Sequence, residues 1–199
     1  MIWKRLLSVF FSVVASSAYG VIDLTPTVTE YEAHGFKYQQ LLFKDDKRTI
    51  SYEPPQKWAH RGEQTQLQLT PPDKKFAEAL IQSIPLKAAE PLDPAGFPKF
   101  KEHVLAGVPS GSQMVTTIAE GENRLLVNGA QSFEVVVSYQ ALGETFQRSV
   151  ILTNCNDTQL VFRLTARKDD FDALYQAFRR SISSWSVTEK PSADAITPP

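Results

Sequence analysis

The sequence predicts an α+β domain in which an antiparallel β-sheet is flanked by helices. Two patterns in the second half carry that prediction. Residues 133–165 hold three β-prone runs separated by short turn clusters: 133–140 and 160–165 alternate in polarity, and 146–153 is rich in β-branched residues, a pattern of strands joined as an antiparallel meander. Directly behind them, Phe171, Leu174, Tyr175, Phe178 and Ile182 recur at helical spacing. A third observation comes from the first half, where short β-prone runs stop at Pro54-Pro55 and Pro71-Pro72, because proline cannot continue a hydrogen-bond ladder.

Taken in order, the chain opens on a segment of a different kind. Lys4 and Arg5 form a short basic region, residues 6–15 an uncharged apolar run, and Ser16, Ala18 and Gly20 supply small side chains. This is the layout of a secretory signal peptide spanning residues 1–20. The apolar run is about half the roughly twenty residues that a spanning helix needs, so cleavage is expected over retention as an anchor. The single cysteine, Cys155, lies far from the cut, which closes the lipid-anchor route and also excludes an internal disulfide. Removing Lys4 and Arg5 leaves 19 basic against 22 acidic residues, a formal charge of −3. So mild a charge supplies no steering field for nucleic acid, and no basic run with interleaved aromatics occurs. The expected location is periplasmic or secreted, with no integral membrane segment after cleavage.

Residues 21–34 are weakly patterned and read as a leader. The folded domain is expected over residues 35–187, with 188–199, rich in proline and small polar residues, as a disordered tail. Residues 48–53 and 64–70 read as strands. Residues 77–86 fit a strand, with a helix as the alternative. Residues 97–106 read as a helix with Phe97, Phe100, Lys101 and Val104 on one stripe and Gly107 as its stop. A strand follows within residues 116–128, ended by Asn128-Gly129. The meander strands are 133–140, 146–153 and 160–165. Asp169 or Asp170 is placed to cap the last helix, and Arg179 and Arg180 near its end suit the helix dipole. Its five large apolar side chains promise on the order of 10 kcal/mol of gross burial. Trp185 should close its end.

The stretch Ile50-Ser51-Tyr52-Glu53-Pro54-Pro55-Gln56-Lys57-Trp58 resembles the opening strand and aromatic-after-proline turn of PsbP-like domains. The ending fits too: Asn128-Gly129-Ala130, three strands closing on Leu160-Val161-Phe162-Arg163-Leu164-Thr165-Ala166, the helix, then Trp185. That family includes the PsbP protein of photosystem II, bacterial envelope proteins of the DcrB type and a eukaryotic Ran-binding relative. The resemblance implies an α/β/α sandwich around an antiparallel sheet. It implies no reaction, since fold does not license function.

Residues that could carry chemistry are scattered. His34, His60 and His103 lie in no metal-ligand spacing, and the Glu30/His34 pair is a common chance pattern. In Gly107-Val108-Pro109-Ser110-Gly111 the serine sits one position late for a nucleophile elbow. Cys155 has no neighbouring base in sequence to lower its pKa. Asn156-Asp157-Thr158 matches a glycosylation sequon, which matters only in a eukaryotic host. Asp45-Asp46 reads as a turn. None of these assigns a catalytic, cofactor-binding or metal-ligating residue, and no cofactor is expected. The sequence therefore points to a non-catalytic envelope protein that binds a partner protein or small ligand. The alternative is an exported hydrolase whose site assembles only in three dimensions, with His60, Ser110 and Asp45 as its members.

Overall fold

The meander strands are long and well paired. In a computed structural model describing residues 22–44 and 48–190, they are β8 (Ala130–Ala141), β9 (Glu144–Cys155) and β10 (Thr158–Arg167). Leu142 and Gly143 join β8 to β9 with φ of 54° and 77°, the two positive values a primed hairpin turn requires. The first half supplies β4 (Ala59–Glu63), β5 (Gln66–Thr70) and β6 (Glu78–Pro85), so residues 77–86 settle as a strand. β7 (Gln113–Val127) forms one edge. The seven strands make one antiparallel sheet in the order β4-β5-β6-β10-β9-β8-β7.

One helix lies on each face. α1 (Phe97–Ala106) follows a 3-10 turn, Pro94–Gly96, whose preceding Asp93 accepts from the Ala95 N–H at 2.9 Å. α2 (Lys168–Ile182) has its cap two or three residues before the expected Asp169 or Asp170. Arg167 occupies the cap position without a side-chain hydrogen bond, and Asp169 and Asp170 fall inside the first turn. There they complement the dipole, and Asp170 pairs with Lys74 at 2.6 Å.

A second, smaller sheet joins β1 (Thr27–Ala33), β2 (Phe36–Lys44), β3 (Arg48–Tyr52) and β11 (Ser186–Glu189). Two sequence expectations are corrected here. Of the expected leader, residues 21–34, the described part from Ile22 on does not lie outside the fold. Ile22 and Leu24 are fully buried, the Leu24 N–H bonds the Gln64 carbonyl at 3.0 Å, and residues 27–33 pair with β2. Nor does order end at Val187: Thr188 and Glu189 pair with Thr49 and Arg48 of β3. The proposed signal peptide, Asp45-Asp46 and residues 191–199 lie outside the described residues.

The main core fills the space between the large sheet, α2 and the small sheet. Phe171, Leu174, Phe178 and Ile182 meet Ile151, Phe162 and Leu164 from the sheet and Phe43 and Tyr52 from the smaller one. Trp58 stacks on Phe178 at 6.3 Å, which gives the aromatic after the proline pair its purpose. Trp185 sits among Phe43, Tyr52 and Phe162, all at 5.7–5.8 Å. A second core lies on the opposite face, where Phe100 and Val104 of α1 meet Phe133, Val135, Val137, Val150 and Leu152.

Candidate functional site

Alternation along the central strands dictates what the α1 face contains. Phe133, Val135, Val137 and Tyr139 of β8 point to it, as do Phe146, Arg148, Val150 and Leu152 of β9. These side chains span nearly the whole length of both strands, whereas α1 has ten residues. The helix therefore covers the middle of an apolar face and leaves its two ends open as clefts.

The first cleft, about 620 Å³, lies at the start of α1. Leu92, Phe100, Phe133, Val150, Leu152 and Val161 form its apolar floor and wall, and Glu90, Asp93, Lys99 and His103 stand at its margin. The second, about 550 Å³, lies past the end of α1, against Pro109, Ser110 and Gly111. Its apolar lining comes from Phe76, Ala141, Leu142 and Phe146, and its polar lining from Gln68, Thr70, Glu78, Tyr139, Arg148 and Thr165. Both volumes suit a small-molecule site.

Arg148 is the unusual member. It is 8% exposed, yet no ion pair joins it to any described residue. Its Nε donates to Thr165 Oγ1 at 3.0 Å, its Nη1 to the Gly107 carbonyl at the end of α1, and its Nη2 to Tyr139 Oη at a long 3.5 Å. Burial lowers its pKa from the ordinary arginine value, with the neighbouring Tyr139 and the Glu78 charge opposing that shift and the Arg163 charge adding to it. Burial in turn raises the Tyr139 hydroxyl. Glu78 faces the same cleft but is engaged by Arg163 at 3.4 Å and Gln68 at 3.5 Å.

A different polar cluster lies on the α2 side. Glu134 accepts from Ser149 at 2.6 Å, Tyr175 at 2.8 Å and Asn123 at 2.9 Å, and Arg179 stands 3.6 Å away. Burial and the Glu134 charge push Tyr175 up to about 12. Every member is satisfied by another, so this network fixes α2 to the sheet.

The residues singled out from sequence are dispersed. Ser110 borders the second cleft. His60 is in β4 at the far edge of the sheet, opposite Leu69, and does not line that cleft. His103 borders the first cleft, while Glu30 and His34 are exposed on and just past β1. Cys155 ends β9 rather than lying in the turn, buried with its Sγ 3.7 Å from the Val127 carbonyl. Burial pushes its thiol up to about 11. No cluster of three or more His, Cys, Asp or Glu able to hold a metal occurs among the described residues. Sequence reading passed over Arg148, although an arginine in phase with Phe146, Val150 and Leu152 was the available signal.

The architecture is that of the PsbP-like fold. The chain superposes on the solution structure of cyanobacterial PsbP (CyanoP) from Synechocystis with a TM-score of 0.53 and 11% identity, covering 90% of this chain and 99% of that one. It also aligns with LpqN, involved in cell envelope biogenesis of Mycobacterium tuberculosis, at a TM-score of 0.45 and 18% identity over 83% and 92% of the two chains. A Bacteroides thetaiotaomicron structure aligns at a TM-score of 0.43 and 10% identity over 72% of this chain, which spans 46% of that one. No protein-family model and no curated protein matches the sequence. Among the described residues no helix is long and apolar enough to cross a membrane.

Proposed function

We propose that this is an exported, non-catalytic envelope protein that binds a small ligand or a partner protein on the sheet face beneath α1. The observation that supports it best is the mismatch between a long apolar face and a ten-residue helix, which leaves two clefts of ligand size. Export is supported by the basic, apolar and small-residue order of residues 1–20. The hydrolase alternative has less behind it. Ser110 borders a cleft, but His60 is not in it, and a serine nucleophile needs its base within ~3 Å.

Amide chemical-shift mapping with envelope extract fractions and a ligand panel tests the binding surface. Shifts centred on Phe133, Phe146, Val150, Leu152 and α1 are expected, accompanied by a thermal-shift increase. A response confined to the α2 face, or none, would overturn the reading. N-terminal sequencing from the native host tests export, where a start at Met1 would count against cleavage.

A further inference from the structure

We propose that the cleft past the end of α1 binds an amphiphile with an anionic head, the head set against Arg148 and the apolar chain lying along Phe146, Leu142 and Phe76. The inference rests on the ligand-binding reading above and names the chemistry of the ligand.

The head-group argument begins with charge. A guanidinium carries five N–H donors, and Arg148 uses three of them, all on neutral oxygens. The Gly107 carbonyl belongs to the end of α1, where the helix dipole supplies about half a negative charge. The charges of Glu78, which attracts it, and Arg163, which repels it, act on Arg148 from beyond hydrogen-bond reach, so this buried positive charge has no directly bonded counter-ion among the described residues, a costly condition for a desolvated ion. Glu78, the one carboxylate among the described residues that line the cleft, already serves Arg163 and Gln68. At the rim, Arg167 pairs with Glu144 at 3.2 Å and lies over the Phe76 ring at 4.9 Å. Arg163 and Arg167 thus take Glu78 and Glu144, and Arg148, the arginine in the cleft lining, has no ion pair among the described residues. A carboxylate or phosphate entering the cleft would meet the spare N–H groups of Arg148 and the Tyr139 hydroxyl, and charge-assisted bonds of that kind are the strong ones.

The chain argument begins with exposed apolar side chains. Phe76 is 55% exposed and Leu142 is 85% exposed. Leu142 takes its positive φ because the hairpin turn requires it, so the observation that counts is the apolar side chain each residue presents. Two large apolar side chains stand at the mouth of one cleft, where further burial is gained only when something covers them. Beneath them, Phe146 meets Phe76 edge-on at 6.4 Å and stacks on Tyr139 at 5.7 Å, continuing the apolar wall inward to the arginine.

The test is titration of the full chain, below micelle-forming concentrations and at neutral pH, with dodecanoate, dodecyl phosphate, dodecanol and dodecyltrimethylammonium. Amide shifts at Gly107, Tyr139 and Arg148 report the site. At least one anion should bind tenfold or more tighter than dodecanol, and the cation should not bind there. A response to only one anion identifies a carboxylate or a phosphate head. R148Q should erase the preference for the anion over the alcohol, and R148K should keep part of it. L142N, which places a turn-favoured residue in the same backbone, should weaken anion and alcohol alike while leaving the fold intact. Should R148Q lose its near-ultraviolet circular dichroism, the head-group comparison in the unaltered chain and the L142N result decide. Equal binding of dodecanol and both anions overturns this proposal and leaves the broader ligand-binding reading standing. No shift anywhere on the α1 face removes both.

Discussion

Cys155 shows how little a side chain's chemistry can be read without its surroundings. In the sequence it sits among Asn154, Asn156 and Asp157, a setting that suggests an open turn. In the fold it is the last residue of β9, 5% exposed, and burial moves its thiol from an ordinary 9.0 to about 11. A thiol raised in this way stays protonated in the native state at pH values where the unfolded chain has begun to ionise. The unfolded state then binds fewer protons, so stability is intact below pH 9 and falls as pH rises towards 11. The loss attributable to this group is roughly 2–3 kcal/mol. Tyr52, fully buried and also raised, adds to the decline at still higher pH. Urea unfolding at a series of alkaline pH values checks this, and replacing Cys155 with serine or alanine should flatten the first part of the slope. Arg148 teaches the converse lesson. Its phase with Phe146 and Val150 was legible, but its lack of a counter-ion depends on where Glu78 and Glu144 find their partners, and only the fold decides that.

At the scale of elements, the segment leading into β1 carries the clearest consequence. Ile22 and Leu24 are buried, and Ser83 Oγ donates to the Ile22 carbonyl at 2.9 Å. This segment lies so close to β4 that a Cβ on Gly62 would stand 2.2 Å from the Leu24 carbonyl oxygen and 2.3 Å from Pro26. Gly62 is thus required by a close approach between backbones. Gly62→Ala should cost about 1–3 kcal/mol by forcing the segment off the sheet, and Leu24→Ala about 2–5 kcal/mol by leaving a cavity. Denaturant midpoints measure both. Values near zero would mean that residues 22–26 do not hold the fold together. The sequence hid this because only two apolar residues alternate before Pro26, and the hairpin that follows exposes Val28 and Tyr31. The central meander was legible because residues 133–140 and 160–165 keep a period of two and the β-branched run between them is bounded by short turns. α1 was legible to the residue because Phe97, Phe100 and Val104 are spaced for one face and Gly107 ends it. The start of α2 was not, because acidic residues favour the first turn as well as the cap, and the two positions look alike in sequence.

For the molecule as a whole, the two faces of the sheet differ in how firmly their helices are held. α2 buries Phe171, Leu174, Phe178 and Ile182 in a core that also contains Trp58 and Trp185. α1 buries Phe100 and Val104, with Phe97 packed edge-on to Phe133 at 5.3 Å. At about 1.5–3 kcal/mol for each fully buried side chain, the gross burial holding α1 is about half that holding α2. Two polar ties add to α1: Lys101 to Glu120 on β7, and Arg148 to the Gly107 carbonyl. Elements with fewer buried contacts open locally at free energies below that of global unfolding. Native-state hydrogen exchange should therefore show the amides of α1 opening first, with protection about tenfold or more below that of α2, β9 and β10. The difference bears on function because both clefts are bounded by α1 or the loop behind it. A helix that lifts while the sheet stays closed lets a ligand of either cleft enter without unfolding the domain. A ligand that bonds Arg148 should then raise the protection of α1 and leave that of α2 unchanged. Equal protection of the two helices would show instead that α1 opens only with the whole domain and that the clefts are fixed in size.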